Sequence, residues 1–279
     1  MDNKDTKTPQ SLATEKSLPF WRTVGQAYII WASNLAQVIR ISWLWLLLMT
    51  PVLITISWFV FPSFIELTQA ASAREVMPRP SGFDLLVQAI ETLVMLPMVA
   101  SIAVAWHRLV LRDEHVTERA YLRLDRVVLV YAALLLLVKL LSTLPPYLND
   151  MFAGTVTDAE TMSSLLPNLF IFLLGIVGFY VVARLSVILP ARALERDDIT
   201  LGRVWEETRG NGWKLFWGYV LCTVPIFVVA GAGGWWLMTP DVNRSVFAVG
   251  SVLFTYISSL SMLIAVGFLS LTYRYLLEE

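Results

Sequence analysis

Ile41 to Ile65 reads ISWLWLLLMTPVLITISWFVFPSFI, and no residue in it carries a charge. A helix needs roughly 20 predominantly apolar residues to cross a bilayer core. This stretch is long enough, and it lacks the strict alternation of a strand in a membrane barrel. Three more charge-free stretches follow: between Glu160 and Arg184, between Lys214 and Asp241, and between Arg244 and Arg274. Two others carry one charge each, Glu91 within Leu85 to Trp106 and Lys139 within Val127 to Leu144. The expected fold class is therefore all-α, a polytopic membrane helix bundle. Its six transmembrane helices are expected at about 41–62, 84–107, 126–145, 165–189, 214–238 and 246–274.

Composition agrees. Hydrophobic residues make up 57% of the chain and charged residues 15%, whereas a soluble domain is nearer half apolar and a quarter charged. A net charge of −1 argues against nucleic acid as a partner. The single cysteine, Cys222, lies in an apolar run, which excludes an internal disulfide or a cysteine-based metal site.

Lysine and arginine set the expected orientation. The N-terminal segment carries Lys4, Lys7, Lys16, Arg22 and Arg40. The second loop has Arg108, Arg112, Arg119, Arg123 and Arg126, and the fourth has Arg192, Arg196, Arg203, Arg209 and Lys214. The other side has only Arg74, Arg79 and Arg244. Both termini are expected in the cytosol. Trp43, Trp106, Trp213 and Trp217 would mark one membrane interface, and Trp58, Trp235 and Trp236 the other. Residues 1–19 are polar and contain no apolar signal-peptide core, so a disordered cytosolic tail is expected there. A single transmembrane domain over 20–279 follows it.

Two stretches suggest helices lying at the headgroups. Val24, Tyr28, Trp31, Leu35 and Val38 recur at helical spacing, which predicts an interfacial helix over about 22–36. Leu201, Val204, Trp205 and Thr208 do the same over about 200–210, with Thr200 as start cap and Gly210 or Asn211 as a left-handed stop. Gly25, Asn34, Arg40, Trp43 and Pro51 pair with Gly202, Asn211, Lys214, Trp217 and Pro225. This pattern suggests a parallel internal repeat of an interfacial helix followed by a hairpin. Residues 113–125 are a candidate head for a third unit.

The run RLSVILPARAL (184–194), a short polar link and LGRVWEETRGNGWKLF (201–216) resemble the cytosolic elbow of a large group of bacterial inner-membrane proteins. That group is similar to the membrane domain attached to some glycerophosphodiester phosphodiesterases. Residues 22–51 and 104–112 share the resemblance more weakly. It implies a multi-pass protein of a bacterial inner membrane. The soluble phosphodiesterase barrel has no room in this chain, so no catalytic residue is carried over.

Glu91 and Lys139 are the candidate binding residues, with Gln88 beside them. An ionisable group in a span is costly and faces protein or water, which makes it a functional candidate. Glu91 lies roughly 24 Å along a helix from His107, and Lys139 roughly 20 Å from Arg126, so both belong near the outer side at similar depth. Asp84, Gln88 and Glu91 share one helix face by spacing. This reads either as a polar cavity for an ion, proton or headgroup, or as a structural ion pair inside the bundle. His107 and His115 lack the companions of a metal site, and no nucleophile, Walker or dinucleotide motif is present. The elbow charges of 190–214 sum to zero, unlike a cluster that binds anionic lipid. Pro51, Pro97 and Pro225 mark kinks, while Gly218 and Gly234 mark close helix packing.

The expected function is that of a membrane protein without a catalytic site or cofactor, a scaffold or accessory in lipid and envelope homeostasis. Its expected partners are membrane lipids and either further copies of itself or another membrane protein. The alternatives are a small transporter with a polar site between helices two and three, and an intramembrane enzyme. A scaffold should fill its centre with side chains; a transporter should enclose water around Glu91.

Overall fold

The computed structural model describes residues 17–73, 82–153, 165–237 and 243–278. Its helices are α1 (Phe20–Ser33), α2 (Leu35–Ala73), α3 (Gly82–Arg112), α4 (Arg126–Ala153), α5 (Leu165–Leu185), α6 (Ile188–Ala193), α7 (Leu201–Glu207), α8 (Gly212–Leu237) and α9 (Arg244–Tyr273). A π-helical turn, Arg274–Glu278, continues α9. No strand occurs among the described residues. Five segments are long and apolar enough to cross a membrane: Leu35–Glu66, Gly82–Arg112, Phe172–Ala193, Gly212–Trp236 and Arg244–Glu278. The chain is thus an all-α protein with the build of a multi-pass membrane protein. The helix α4 covers the span expected over 126–145, although its side chains beyond Leu141 lie outside the described residues.

Several expectations need correction. The helix expected over 165–189 breaks at Ser186–Val187 before α6 resumes. Pro190 has no N–H to give the Ser186 carbonyl four residues back, and its ring crowds that carbonyl. Residues 113–125 form no helix; Asp113 takes a left-handed φ of 57° and ends α3. Side chains of α2 hold that loop instead, Arg40 donating to the Val116 carbonyl and Trp43 to that of Arg119, each at 3.0 Å. The residues expected as a tail to position 19 include Leu18, which is only 2% exposed. Residues 1–16 lie outside the description. Trp106, expected at an interface, is fully buried among protein side chains.

Other local signals read as expected. The Thr200 hydroxyl accepts from the Arg203 N–H at 3.3 Å and starts α7. Gly210 supplies the left-handed stop at φ 77°, a conformation glycine adopts without Cβ strain. At Asn34 the side-chain amide donates to the Ile30 carbonyl at 2.9 Å, competing with the backbone ladder and separating α1 from α2.

Among the described residues, the core sits toward one end. Buried side chains concentrate in 98–110 of α3, in Val128, Tyr131 and Ala132 of α4, in 182–194, and in 261–277. That end carries the 113–125 and 194–211 loops. Toward the other end, Leu86, Leu93, Leu137, Leu140 and Trp235 remain exposed. The central element is α9, which packs on α8, α2, α1 and α3. Small residues permit this approach: a Cβ on Gly218 would lie 2.1 Å from the Phe268 ring, inside any tolerable contact. Gly234, by contrast, has open space where a Cβ would go.

Candidate functional site

Two polar regions stand out, one at each end of the bundle. The first is a groove of about 630 Å³ between α3 and α4, lined by Gln88, Glu91, Thr92, Lys139 and apolar neighbours. Spacings of three, one and three carry Gln88, Glu91, Thr92 and Met95 along one face of α3. From α4, Lys139 donates to the Thr92 hydroxyl at 2.9 Å, one residue past Glu91. The three expected residues therefore do meet. They meet in an open groove, not inside the bundle: Glu91 is half-buried, and Gln88 and Lys139 are exposed. The Glu91 carboxylate accepts no hydrogen bond among the described residues. Asp84 leaves the group, since its carboxylate accepts from Ser63 of α2 at 2.7 Å.

The second region is the elbow. Arg184 is 6% exposed. Its Nε donates to the Thr208 hydroxyl at 3.0 Å, its Nη2 to the Trp205 carbonyl, and its guanidinium stacks 3.6 Å from the Trp205 ring centre. One arginine thus ties α7 to α5. Of the face expected to meet lipid, Val204 and Thr208 are instead buried against protein, while Leu201 and Trp205 stay exposed. The Asn211 amide oxygen accepts from the Leu18 N–H at 2.9 Å, and Lys214 donates to Ser17 Oγ at 2.5 Å. Gly212 is glycine because a Cβ there would sit 2.1 Å from the Tyr180 hydroxyl.

Several other charges at the elbow are paired within the protein. Arg108 Nε donates to the Ala193 carbonyl at 3.0 Å, and Arg112 Nη2 to that of Leu194 at 2.9 Å, so both close the C-terminal end of α6. The second Arg108 nitrogen, Nη2, pairs with Glu195 at 2.5 Å. Arg196 grips Asp198 through two nitrogens at 2.8 and 2.9 Å. That hydrogen-bonded pairing holds the Asp198 carboxyl down at about 2. Among the basic elbow residues, Arg184 is the buried one, and the sequence carried a signal for it: a lone arginine with apolar residues on both sides.

Between the two regions the described residues pack closely around a small crevice. A crevice of about 50 Å³ runs among Ala103, Tyr131, Phe179, Tyr219, Met262 and Val266. Next to it, His107 is fully buried, with Nδ1 2.7 Å from Ser270 Oγ and Nε2 2.9 Å from the Tyr131 hydroxyl. Both ring nitrogens are satisfied by hydroxyls, which is a structural arrangement. No group of three metal-ligating side chains occurs among the described residues. No protein-family model matches the chain, and no curated protein or solved structure matches it, so its chemistry must be read from its own residues.

Proposed function

We propose that this chain is a non-enzymatic, multi-pass protein of a bacterial inner membrane that acts by holding lipid or a membrane partner, as a scaffold or accessory in lipid and envelope homeostasis. The close packing of the described residues around a small, mostly apolar central crevice supports this reading. Transport needs a polar path that opens to each side in turn, whereas among the described residues the polar side chains lining the central crevice are two tyrosines and one serine. The charged residues lie in a groove open at the bundle's surface. In this reading α4 is the sixth span, both termini are cytosolic, and α1 and α7 lie at the cytosolic interface as heads of two repeat units. The elbow resemblance described above supports the placement in a bacterial inner membrane.

The test is thiol accessibility in membranes. With Cys222→Ser as background, Ala103→Cys and Met262→Cys should resist a membrane-impermeant maleimide in both intact cells and inverted vesicles. Glu206→Cys should react in inverted vesicles only. Reaction of position 103 or 262 from both sides would establish alternating access and overturn the scaffold reading; reaction of position 206 in intact cells would overturn the topology.

A further inference from the structure

We propose that the groove between α3 and α4 binds the zwitterionic headgroup of an aminophospholipid, with the lipid's primary ammonium on Glu91 and its phosphate on Lys139 and Gln88. This deepens the preceding reading and rests on it, since it names the lipid that the scaffold holds. Charge complementarity carries the argument. A carboxylate and an ammonium line one groove, and the carboxylate accepts no hydrogen bond from the described residues. Such a carboxylate retains its lone pairs for an incoming N–H donor. Lys139 donates to the Thr92 hydroxyl at 2.9 Å, which holds its ammonium at the groove beside Glu91.

Depth and walls fit the same ligand. From Arg108, where the guanidinium meets the elbow, Glu91 lies 17 residues along α3, roughly 25 Å at 1.5 Å per residue. A hydrocarbon core is about 30 Å thick, which brings the charged end of the groove to the opposite headgroup boundary. On the bilayer side of Glu91 the groove is walled by Leu93, Met95 and Leu136, of which Leu93 is exposed, so acyl chains can follow them away from the polar end. An anionic lipid would set its phosphate beside Glu91 without any ammonium to offset it. A choline lipid has no N–H to donate to Glu91. Discrimination among headgroups, not bulk attraction to the membrane, is the property this geometry confers.

The experiment equilibrates the full-length detergent-solubilised protein with equimolar phosphatidylethanolamine and phosphatidylglycerol and counts retained lipid by native mass spectrometry. A second arm replaces phosphatidylglycerol with phosphatidylcholine. Wild type should prefer the ethanolamine lipid by about threefold to fivefold in both arms, the range that exposed charge contacts support. Glu91→Gln should bring the ratio toward one, and Lys139→Met should reduce retention of every lipid. Soluble glycerophosphoethanolamine should displace bound lipid from wild type where glycerophosphoglycerol does not, which tests the site even if a variant misfolds. An ethanolamine preference that persists in Glu91→Gln, or equal displacement by both competitors, would overturn the proposal. An unreactive core together with no headgroup preference removes this proposal alone, whereas a reactive core with the preference intact removes only the scaffold reading.

Discussion

Arg184 shows how one side chain can decide a local fold. A guanidinium removed from water needs partners for its fixed fork of donors, and α7 supplies a carbonyl, a hydroxyl and an indole face. Arg184→Met keeps the apolar bulk but removes the charged donor to the Trp205 carbonyl and the Thr208 hydroxyl and loses the stacking. It should cost about 2–3 kcal/mol in detergent unfolding. Arg184→Lys should recover less than half of that loss, because an ammonium cannot make the same fork and stack. Equal melting of wild type and Arg184→Met would remove the clasp role. At this scale the sequence was partly legible. The turn residues Thr200 and Gly210 announce themselves by local chemistry. The demands on Gly212 and Asn211 come from Tyr180 and Leu18, distant in sequence, and no local pattern encodes them.

Helices were the most legible scale, because the spacing of charges marks where a chain can enter lipid. Five of the expected spans correspond to long apolar helices whose ends shift by several residues. The shifts arise where tertiary contacts, not hydropathy, decide the end. The start of α4, by contrast, falls at the expected Arg126 and is fixed by local side chains. The Asp125 carboxylate accepts from the Val128 N–H at 3.0 Å and pairs with Arg123 at 2.5 Å. Partial burial alone would raise its pKa, but the Arg123 hydrogen bond, the Val128 N–H and the nearby guanidiniums outweigh burial and hold it below the usual value. A carboxyl depressed in the folded state stabilises above its unfolded pKa of about 4 and loses that contribution as pH falls further. Asp125→Ala should therefore cost about 1 kcal/mol at neutral pH, and the gap to wild type should narrow below about pH 4. A gap that is unchanged down to pH 2.5 would contradict the cap assignment.

For the whole molecule, the main property is its lopsided packing. Among the described residues, burial gathers at the end that carries the elbow, while large apolar side chains such as Leu86, Leu93 and Leu137 stay uncovered toward the other. Amide exchange should accordingly be slower at 98–110 of α3 than at 84–94 of the same helix, since local opening follows contact density. Uniform protection along α3 would contradict this. Gly218→Ala should act on the packed end, forcing α8 away from Phe268 at a cost of about 1–3 kcal/mol, read as a lowered melting temperature. This asymmetry was invisible in the sequence, because hydropathy scores lipid-facing and core-facing leucines alike. The candidate groove was legible in its residues yet not in its exposure. A lone charge in a span implies a partner, but it does not say whether the pair faces the bundle's middle or its surface.

The position of α9 also bears on biogenesis. The ribosome releases α1 through α8 before α9, yet α9 is the helix on which α1, α2, α3 and α8 all pack. Ser270, the hydroxyl beside His107 Nδ1, is likewise made late, as is Tyr275, whose hydroxyl donates to the Ser17 carbonyl at 3.2 Å. Nascent chains that stop short of α9 hold a buried-type histidine without its hydroxyl and several apolar faces without their neighbour. Insertion of the earlier spans and condensation of the bundle are thus separate events. Between them lies an interval during which the insertion machinery must shield, and a membrane protease can recognise, every incomplete copy.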